Sequence, residues 1–490
     1  MKILFVSAEV VPFAKTGGLG DVAGSLPVAL KRLGVEVCLG LPFYRNVREG
    51  NFEPRLLLGN LKVPFGNEEL PARVWEARRY KDIPVYLIER DDMYDRPNIY
   101  GDPSGDYYDN FERFAFFTRA VLSMAEALSI KPDLIHCHDW HTGLLPAMLK
   151  GSLKGVETLG RTPTVFTIHN VGYQGVFPAD KLLLVHLSNE EFYRPEGLEY
   201  YRDICLLKAG IVYSDAVTTV SPTYANEIQT PEYGMGMEGI LRNRRASLSG
   251  ILNGVDYQLW DPAKDPEIPA QYSAERLAGK QACKRSLINE MNLDPFLVKR
   301  PLLGVISRLD AQKGLDLLVK IIDDLLALDV GLVVLGSGDE TIQEALREAA
   351  RSHAGRVGLT IGFDEKLAHR ILAGADIFLI PSRYEPCGLT QMYALKYGTV
   401  PVVRATGGLE DTIAAFDPER DDGNGFKFGP YEPEAFLSAV QQAVDVFQDS
   451  KLWGRIMANG MKEDFSWDRS ARKYRKLYQS VIKKRISSGL

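Results

Sequence analysis

Along most of the chain, short runs of apolar, β-branched residues alternate with stretches of helical periodicity. In the first half, runs at 2–6, 35–41, 85–88, 133–137, 164–168 and 216–220 predict strands, with amphipathic helices at 21–33 and 142–149. The runs are apolar without alternation, as parallel strands covered on both faces require. Between 251 and 269 the rhythm breaks, and Asn253-Gly254 with Pro262, Pro266 and Pro269 predicts a hinge or linker. It then restarts. Runs at 302–306, 330–335, 357–361, 377–380 and 400–403 predict a second parallel sheet, with helices at 314–328 and 341–350. The basic stretch 470–484 predicts a final helix. The pattern is that of an α/β chain with two sandwiches of similar size, residues 1–252 and 253–469, and a C-terminal helix at 470–490.

Length agrees with this division, because 490 residues are too many for a single hydrophobic core. Hydrophobic residues at 45% and charged residues at 25% describe an ordinary globular composition. A net charge of −6 speaks against a general nucleic-acid or lipid-surface binder, so any field that attracts an anion must be local. Cys38, Cys137, Cys205, Cys283 and Cys387 are scattered, odd in number and without a CxxC pair, which predicts reduced thiols. Met1 leads straight into a strand-like run with no cleavage site, and no apolar run approaches the ~20 residues of a membrane span. A cytoplasmic protein is expected, or one of the plastid stroma after removal of a transit peptide.

Ligands of open α/β sheets bind beyond the carboxyl ends of strands, beside helix N-termini, and two such domains predict a site in the cleft between them. Polar motifs directly after strands are therefore the candidates. The first is Lys15-Thr16-Gly17-Gly18-Leu19-Gly20-Asp21. Its glycines let backbone N–H groups approach a ligand, and the helix start and Lys15 add positive charge suited to a diphosphate. It spells neither GxGxxG nor a P-loop, and a plain glycine-rich turn with a solvated lysine remains the alternative. His136-Cys137-His138-Asp139-Trp140-His141 gathers three of the chain's seven histidines. Zinc lacks a second ligand pair at suitable spacing, whereas Asp139 and Trp140 suit a sugar pocket. At least one of His136 and His138 is expected to be a core histidine. Thr167-Ile168-His169-Asn170 ends another strand and offers polar groups to sugar hydroxyls.

In the second half, Arg308 and Lys313 flank one tight turn and could converge on one anion, each worth roughly 4 kcal/mol at 4 Å in an intermediate dielectric. An exposed pair at a helix start is the alternative. Glu385 follows a buried-looking strand in Pro381-Ser382-Arg383-Tyr384-Glu385-Pro386-Cys387-Gly388-Leu389-Thr390-Gln391, with the amides of Gly388 and Leu389 free for phosphate. Thr406-Gly407-Gly408-Leu409 repeats the strand, glycine turn and helix.

KTGGLGD, HCHDWH, TIHN, SRLDAQKG and SRYEPCGLTQ, in this order from Met1 to about Trp467, resemble the bacterial glycogen synthases and plastid starch synthases. The resemblance implies a GT-B fold: two Rossmann-like parallel-sheet domains facing a deep cleft, with the C-terminal helix packing back on the N-terminal domain. It implies transfer of glucose from ADP-glucose to the non-reducing 4-hydroxyl of an α-1,4-glucan (glycogen, starch or maltooligosaccharide) with retention. A preference for UDP-glucose is the alternative donor reading. Residue by residue, it implies that Lys15, Arg308 and Lys313 bind the diphosphate, supported by Gly17, Gly18 and the turn Gly388, Leu389 and Thr390. Asp139, His169 and Asn170 face the donor glucose, and Glu385 and Cys387 close the same pocket. The catalytic group is Glu385, Lys313, Arg308, His169 and Asp139. Asn253 joins the nucleotide-sugar side, and His141 and Asp21 the acceptor side, Asp21 also organising the glycine loop. The adenine-stacking aromatic falls at Phe363, where many bacterial members carry Tyr, so the phenolic hydrogen bond is lost and stacking kept.

Many retaining GT-B enzymes carry a second glutamate eight positions on, where this chain has Tyr393, as is usual in this branch. A lone carboxylate does not support double displacement. No DxD string occurs, so neither metal nor cofactor is expected. The implied mechanism is attack on the face from which ADP leaves, with domain closure about the Pro-rich hinge gathering cations and excluding water. A phosphorylase would need a lysine for pyridoxal phosphate, and no segment resembles that site. A silent glucan-binding protein would not need the complete cationic and carboxylate set, and an NAD-dependent oxidoreductase would want GxGxxG. Neither nucleic acid nor membrane is an expected partner.

Overall fold

The computed structural model describes residues 1–77, 80–151, 159–187, 192–420 and 422–487; the last three residues of the predicted tail lie outside them. The chain divides into two compact units. Met1–Val220, Ala225–Gly254 and Trp467–Leu490 form the first, and Ser221–Tyr224 with Val255–Ser466 the second.

The first unit holds a sheet in the order Leu248–Gly250, Ala216–Thr219, Thr164–Ile168, Leu134–His138, Lys2–Val6, Glu36–Pro42, Val85–Glu89, Glu68–Ala77, Pro54–Phe65. Its first seven strands run parallel. Six of them carry the predicted apolar runs, the edge strand Leu248–Gly250 having none, and Ile3, Leu4, Phe5 and Val6 are fully buried. The last two strands form an antiparallel hairpin that pairs antiparallel with Val85–Glu89, an edge that the apolar runs do not predict. Pro54, Pro64 and Pro71 interrupt these segments, and many of their side chains face solvent. One face stays wet, as antiparallel strands allow, so the continuous apolar signal is missing.

From Lys2–Val6 the chain moves to Glu36–Pro42 on one side and returns later to Leu134–His138 on the other. The loops after Val6 and His138 therefore diverge and open a crevice at the strand ends. The final helix, Trp467–Ser487, packs within this unit against the helix Gly18–Arg32, burying Trp467, Ala471, Tyr474, Tyr478 and Val481. Tyr478 Oη lies 2.7 Å from His136 Nδ1, so the tail is bonded to the centre of the sheet.

The second unit is a six-stranded parallel sheet in the order Val357–Ile361, Gly331–Gly336, Leu302–Ile306, Ile377–Ile380, Val400–Arg404, Phe426–Phe428. Leu303, Val305, Val334 and Leu379 pack beneath Leu318, Ile321 and Leu325 of the helix Leu315–Ala327. Its switch point lies between Leu302–Ile306 and Ile377–Ile380. Part of the predicted linker belongs to this unit's packing. Trp260 stacks between His369 and Tyr393 at centroid distances of 3.8 and 4.2 Å, and Asp265 bonds His369 and Tyr397.

Because His136 and Tyr478 are both buried, Tyr478→Phe leaves a ring nitrogen without its partner. It should lower the stability of the first unit by about 1–3 kcal/mol, read as an earlier denaturant midpoint. An unmoved midpoint would mean that the bond contributes nothing.

Candidate active site

The glycine loop follows Lys2–Val6 and starts the helix Gly18–Arg32. A buried carboxylate, Glu9, shapes it: Oε2 accepts the N–H groups of Thr16 at 2.6 Å and Gly17 at 3.0 Å, and Oε1 accepts Tyr100 Oη–H at 2.6 Å. Burial raises the pKa of Glu9 against these hydrogen bonds. Lys15 Nζ lies 2.8 Å from Asp21 Oδ1 at the helix start, so these two predicted residues meet. Gly17 at the N-cap makes no side-chain cap, and Gly20 N–H turns back to Gly17 O at 3.2 Å. The fold itself does not demand glycine at 17 or 18. Gly17 is extended, and a Cβ at either position would meet no atom of the chain within 4 Å.

Across the crevice, Asp139 ends Leu134–His138 with φ 53° and ψ −179°, a conformation that non-glycine residues rarely adopt and that costs of order 1–3 kcal/mol. Its carboxylate accepts the N–H groups of His169, at 2.7 Å, and Asn170. Burial pushes its pKa up to about 8, with those two N–H groups opposing and the charge of Glu9 adding to the rise.

The histidines of the motif separate by their partners. His136 uses both ring nitrogens within the chain, on Thr167 Oγ1 and Tyr478 Oη, and is a core histidine. His138 Nδ1 lies 3.0 Å from His169 Nε2. His141 stacks on Tyr100 at 4.7 Å, and its buried Nδ1 has no partner among the described residues. Burial lowers the pKa of all four rings, that of His169 to about 3, so all are neutral near pH 7. Asn170 Oδ1 accepts Gly172 N–H, and Asn253 is buried with Oδ1 unpartnered among the described residues.

In the second unit, the loops after the two switch-point strands are tied together. Arg383 N–H donates to Gln312 O, and Gly314, at φ 73°, lies so near Pro381 that a Cβ would come within 1.9 Å of its carbonyl oxygen. Only glycine permits this approach. The contact brings Lys313 Nζ to 2.6 Å from Glu385 Oε2, which also accepts Ser382 Oγ–H at 3.1 Å. Arg308 has different partners, Asp310 and Gln312, and is half exposed. The turn before the helix Thr390–Lys396 is held by buried Gln391, whose Nε2 donates to the carbonyls of Cys387 and Gly388. Cys387 is buried, Gly388 has φ 69°, and Leu389 and Thr390 are half-buried. Phe363 ends Val357–Ile361 and is 87% exposed, an isolated apolar face turned to solvent.

Sequence reasoning missed Glu9, Tyr100, Ser382 and Gln391. For Glu9 there was a signal, since a lone acid stands among apolar residues just before a glycine loop. Tyr100 and Ser382 carry none, because their partners are distant or their turn is specific to the fold. Among the described residues, no group of three or more His, Cys, Asp or Glu is placed to hold a metal, and no helix is long and apolar enough to cross a membrane.

Residues 2–243 match the family model described as the starch synthase catalytic domain, and residues 293–453 the model described as glycosyl transferases group 1. A glycogen synthase of Anaeromyxobacter dehalogenans (strain 2CP-C) is 48% identical over 483 residues, covering 98% of this chain and 100% of the relative. A glycogen synthase of Koribacter versatilis is 44% identical over 481 residues, with 98% of each chain covered. The catalytic domain of starch synthase IV from Arabidopsis thaliana, bound to ADP and acarbose, superposes with a TM-score of 0.91 at 35% identity, covering 98% of this chain and 99% of that one. Sucrose-phosphate synthase from Thermosynechococcus elongatus, at 17% identity and a TM-score of 0.60 over 99% of both chains, shares the fold.

The raised pKa of Asp139 gives a stability test. The unfolded carboxyl titrates near 3.8 and the folded one near 8, so between these values the folded state keeps a proton that the unfolded state has lost. The contribution of Asp139 is thus complete below about pH 4 and lost as pH rises through about 8. Asp139→Asn keeps a carbonyl acceptor for His169 N–H and cannot ionise. Its melting temperature should therefore gain on the native protein steadily from about pH 4 to about pH 8 and level off above that. Parallel curves would show an ordinary carboxyl.

Proposed function

The chain belongs to the family of glycogen synthases and starch synthases, and on that premise we propose that it lengthens an α-1,4-glucan by transferring glucose from ADP-glucose to the non-reducing 4-hydroxyl with retention. It is a glycosyltransferase of the GT-B fold. The observation that carries the mechanism is the contact of Lys313 with Glu385 at the second sheet's switch point. A cation serves a departing diphosphate and a carboxylate serves the positive charge that grows on the sugar, and here the two are in register. The ADP held by the Arabidopsis relative supports an adenine over a uracil nucleotide.

Lys15, Arg308 and Lys313 hold the diphosphate, with the N–H groups of Gly17–Gly18 and of the turn Gly388, Leu389 and Thr390. Phe363, already exposed, stacks on the adenine. Asp139, His169 and Asn170 face the donor glucose, with Asn253 and Cys387 beside it. His141 and Asp21 lie on the acceptor side. As the glycosidic bond breaks, negative charge builds on the diphosphate and draws the field of Lys313 away from Glu385. The carboxylate is then freer to face the oxocarbenium-like carbon. The acceptor hydroxyl attacks from the side on which ADP departs and gives its proton to the leaving phosphate. The chain's own cations neutralise the diphosphate, so neither metal nor cofactor is required. With five free, buried cysteines, we place the protein in a reducing, cytoplasmic compartment.

ADP-glucose with glycogen should release ADP and extend the glucan at a rate that a chelator leaves unchanged, and faster than UDP-glucose releases UDP. Strict Mg²⁺ dependence would sink the metal-free mechanism. Glu385→Gln should lower kcat by about 10²–10³ while ADP binds as well or better, because Lys313 is released. Lys313→Ala should weaken ADP binding and slow transfer together. A folded Glu385→Gln enzyme with normal kcat would reduce Glu385 to a mere partner of Lys313.

A further inference from the structure

Resting on the reading that His169 faces the donor sugar, we infer that His138 is a positioning residue that fixes the tautomer of His169, so that His169 presents a hydrogen-bond donor, Nδ1–H, to a sugar or phosphate oxygen. His138 is fully buried, and its ring packs against Phe5 and His136 at centroid distances of 4.2 and 4.1 Å. His138 N–H donates to Thr142 Oγ1 at 2.6 Å, and His169 N–H is held by Asp139, so both residues are anchored through the main chain. Between the rings, His138 Nδ1 and His169 Nε2 are 3.0 Å apart.

Both rings are neutral, so one proton lies between these two nitrogens, and there are two ways to place it. If His169 Nε2 donates, His138 carries its own proton on Nε2. That nitrogen is buried and without a partner among the described residues, so a buried N–H would be left with nothing to receive it. If His138 Nδ1 donates, His138 Nε2 is only a spare lone pair. Buried N–H groups without partners are rarer than acceptors with an unused lone pair, because the full desolvation cost of the donor is then unrecovered. The second arrangement wins. His169 Nε2 is then an acceptor, and neutral His169 must hold its proton on Nδ1. No atom among the described residues bonds Nδ1, and the residue is only half-buried, so this donor is free for a ligand.

The tautomers can be read directly in the full chain labelled with ¹⁵N-histidine, using long-range ¹H–¹⁵N correlations near pH 7.5, with His169→Gln identifying the signals. We expect His169 to be protonated at Nδ1 and bare at Nε2, and His138 likewise. Protonation of His169 at Nε2 overturns the inference. Two variants then test its use. Asn at 138 keeps an N–H near the position of Nδ1, and Leu does not. His138→Leu should let both tautomers of His169 appear and lower kcat roughly tenfold, short of the ~10²–10³ lost with a group that itself contacts the transition state. ADP affinity should hold in both variants, and His138→Asn should recover most of the rate. If thermal melts show both variants folded and Asn fails as badly as Leu, His138 is only packing. If the native protein makes no glucan at all, the functional reading fails, and the tautomer is still decided by the spectra.

Discussion

A parallel strand covered on both faces has nowhere to place a polar side chain except at its ends. Unpaired polar groups in the middle would have to give up water without recompense. In both units that constraint drives the hydrophilic residues of the central strands into the loops beyond the carboxyl ends. The order of strands then decides which loops can open. At Lys2–Val6 and Leu134–His138 in one sheet, and at Leu302–Ile306 and Ile377–Ile380 in the other, neighbouring connections leave in opposite directions. Lys15, Asp139, Lys313 and Glu385 lie in the loops that follow these four strands, where a parallel strand covered on both faces leaves its polar side chains an outlet.

The two units solve the electrostatics of such a crevice differently. In the first, burial dominates. Glu9 and Asp139 have raised pKa values, four histidines are neutral, and the groups act on one another through hydrogen bonds rather than charge. Such a surface suits hydroxyls, which donate and accept in one place. In the second, opposite partners meet directly, because the buried Glu385 carboxylate has a lysine at 2.6 Å and a serine hydroxyl beside it. Breaking one partner of such a pair costs more than the pair contributes, since the other is left buried and alone. The pair is therefore stable without ligand and changes its balance when an anion arrives.

Much of this was legible in the chain. Every central parallel strand was announced by an apolar run, since such strands are apolar on both faces. What the sequence could not tell was partnership. His136 and His138 stand two apart in one motif and look alike. They are separated by Thr167 and Tyr478, which lie 31 and 342 positions from His136. The strain at Asp139 is invisible without φ and ψ. The antiparallel hairpin escaped because a half-solvated strand broken by proline has no continuous apolar signal. Tyr393, noted only as a missing second carboxylate, is accounted for by Trp260, on which it stacks at 4.2 Å. A charged carboxylate there would lose both that stack and its hydration.

The glycines separate what the fold requires from what a ligand requires. Gly314 is dictated by the chain: any side chain would strike Pro381, and the loop that delivers Lys313 to Glu385 could not close. Gly17 and Gly18 are not dictated in this way. Neither has a left-handed φ, and a Cβ would project into open space. Two adjacent glycines also cost conformational entropy on folding, so a fold that gains nothing from them is better off with alanine. The benefit must therefore come from outside the chain, from a ligand whose surface would meet those Cβ atoms. Glu9 strengthens the inference, because it spends a buried carboxylate on holding the same loop. A loop that is costly both in entropy and in a buried carboxyl group, and open on its far side, is shaped for something that binds there.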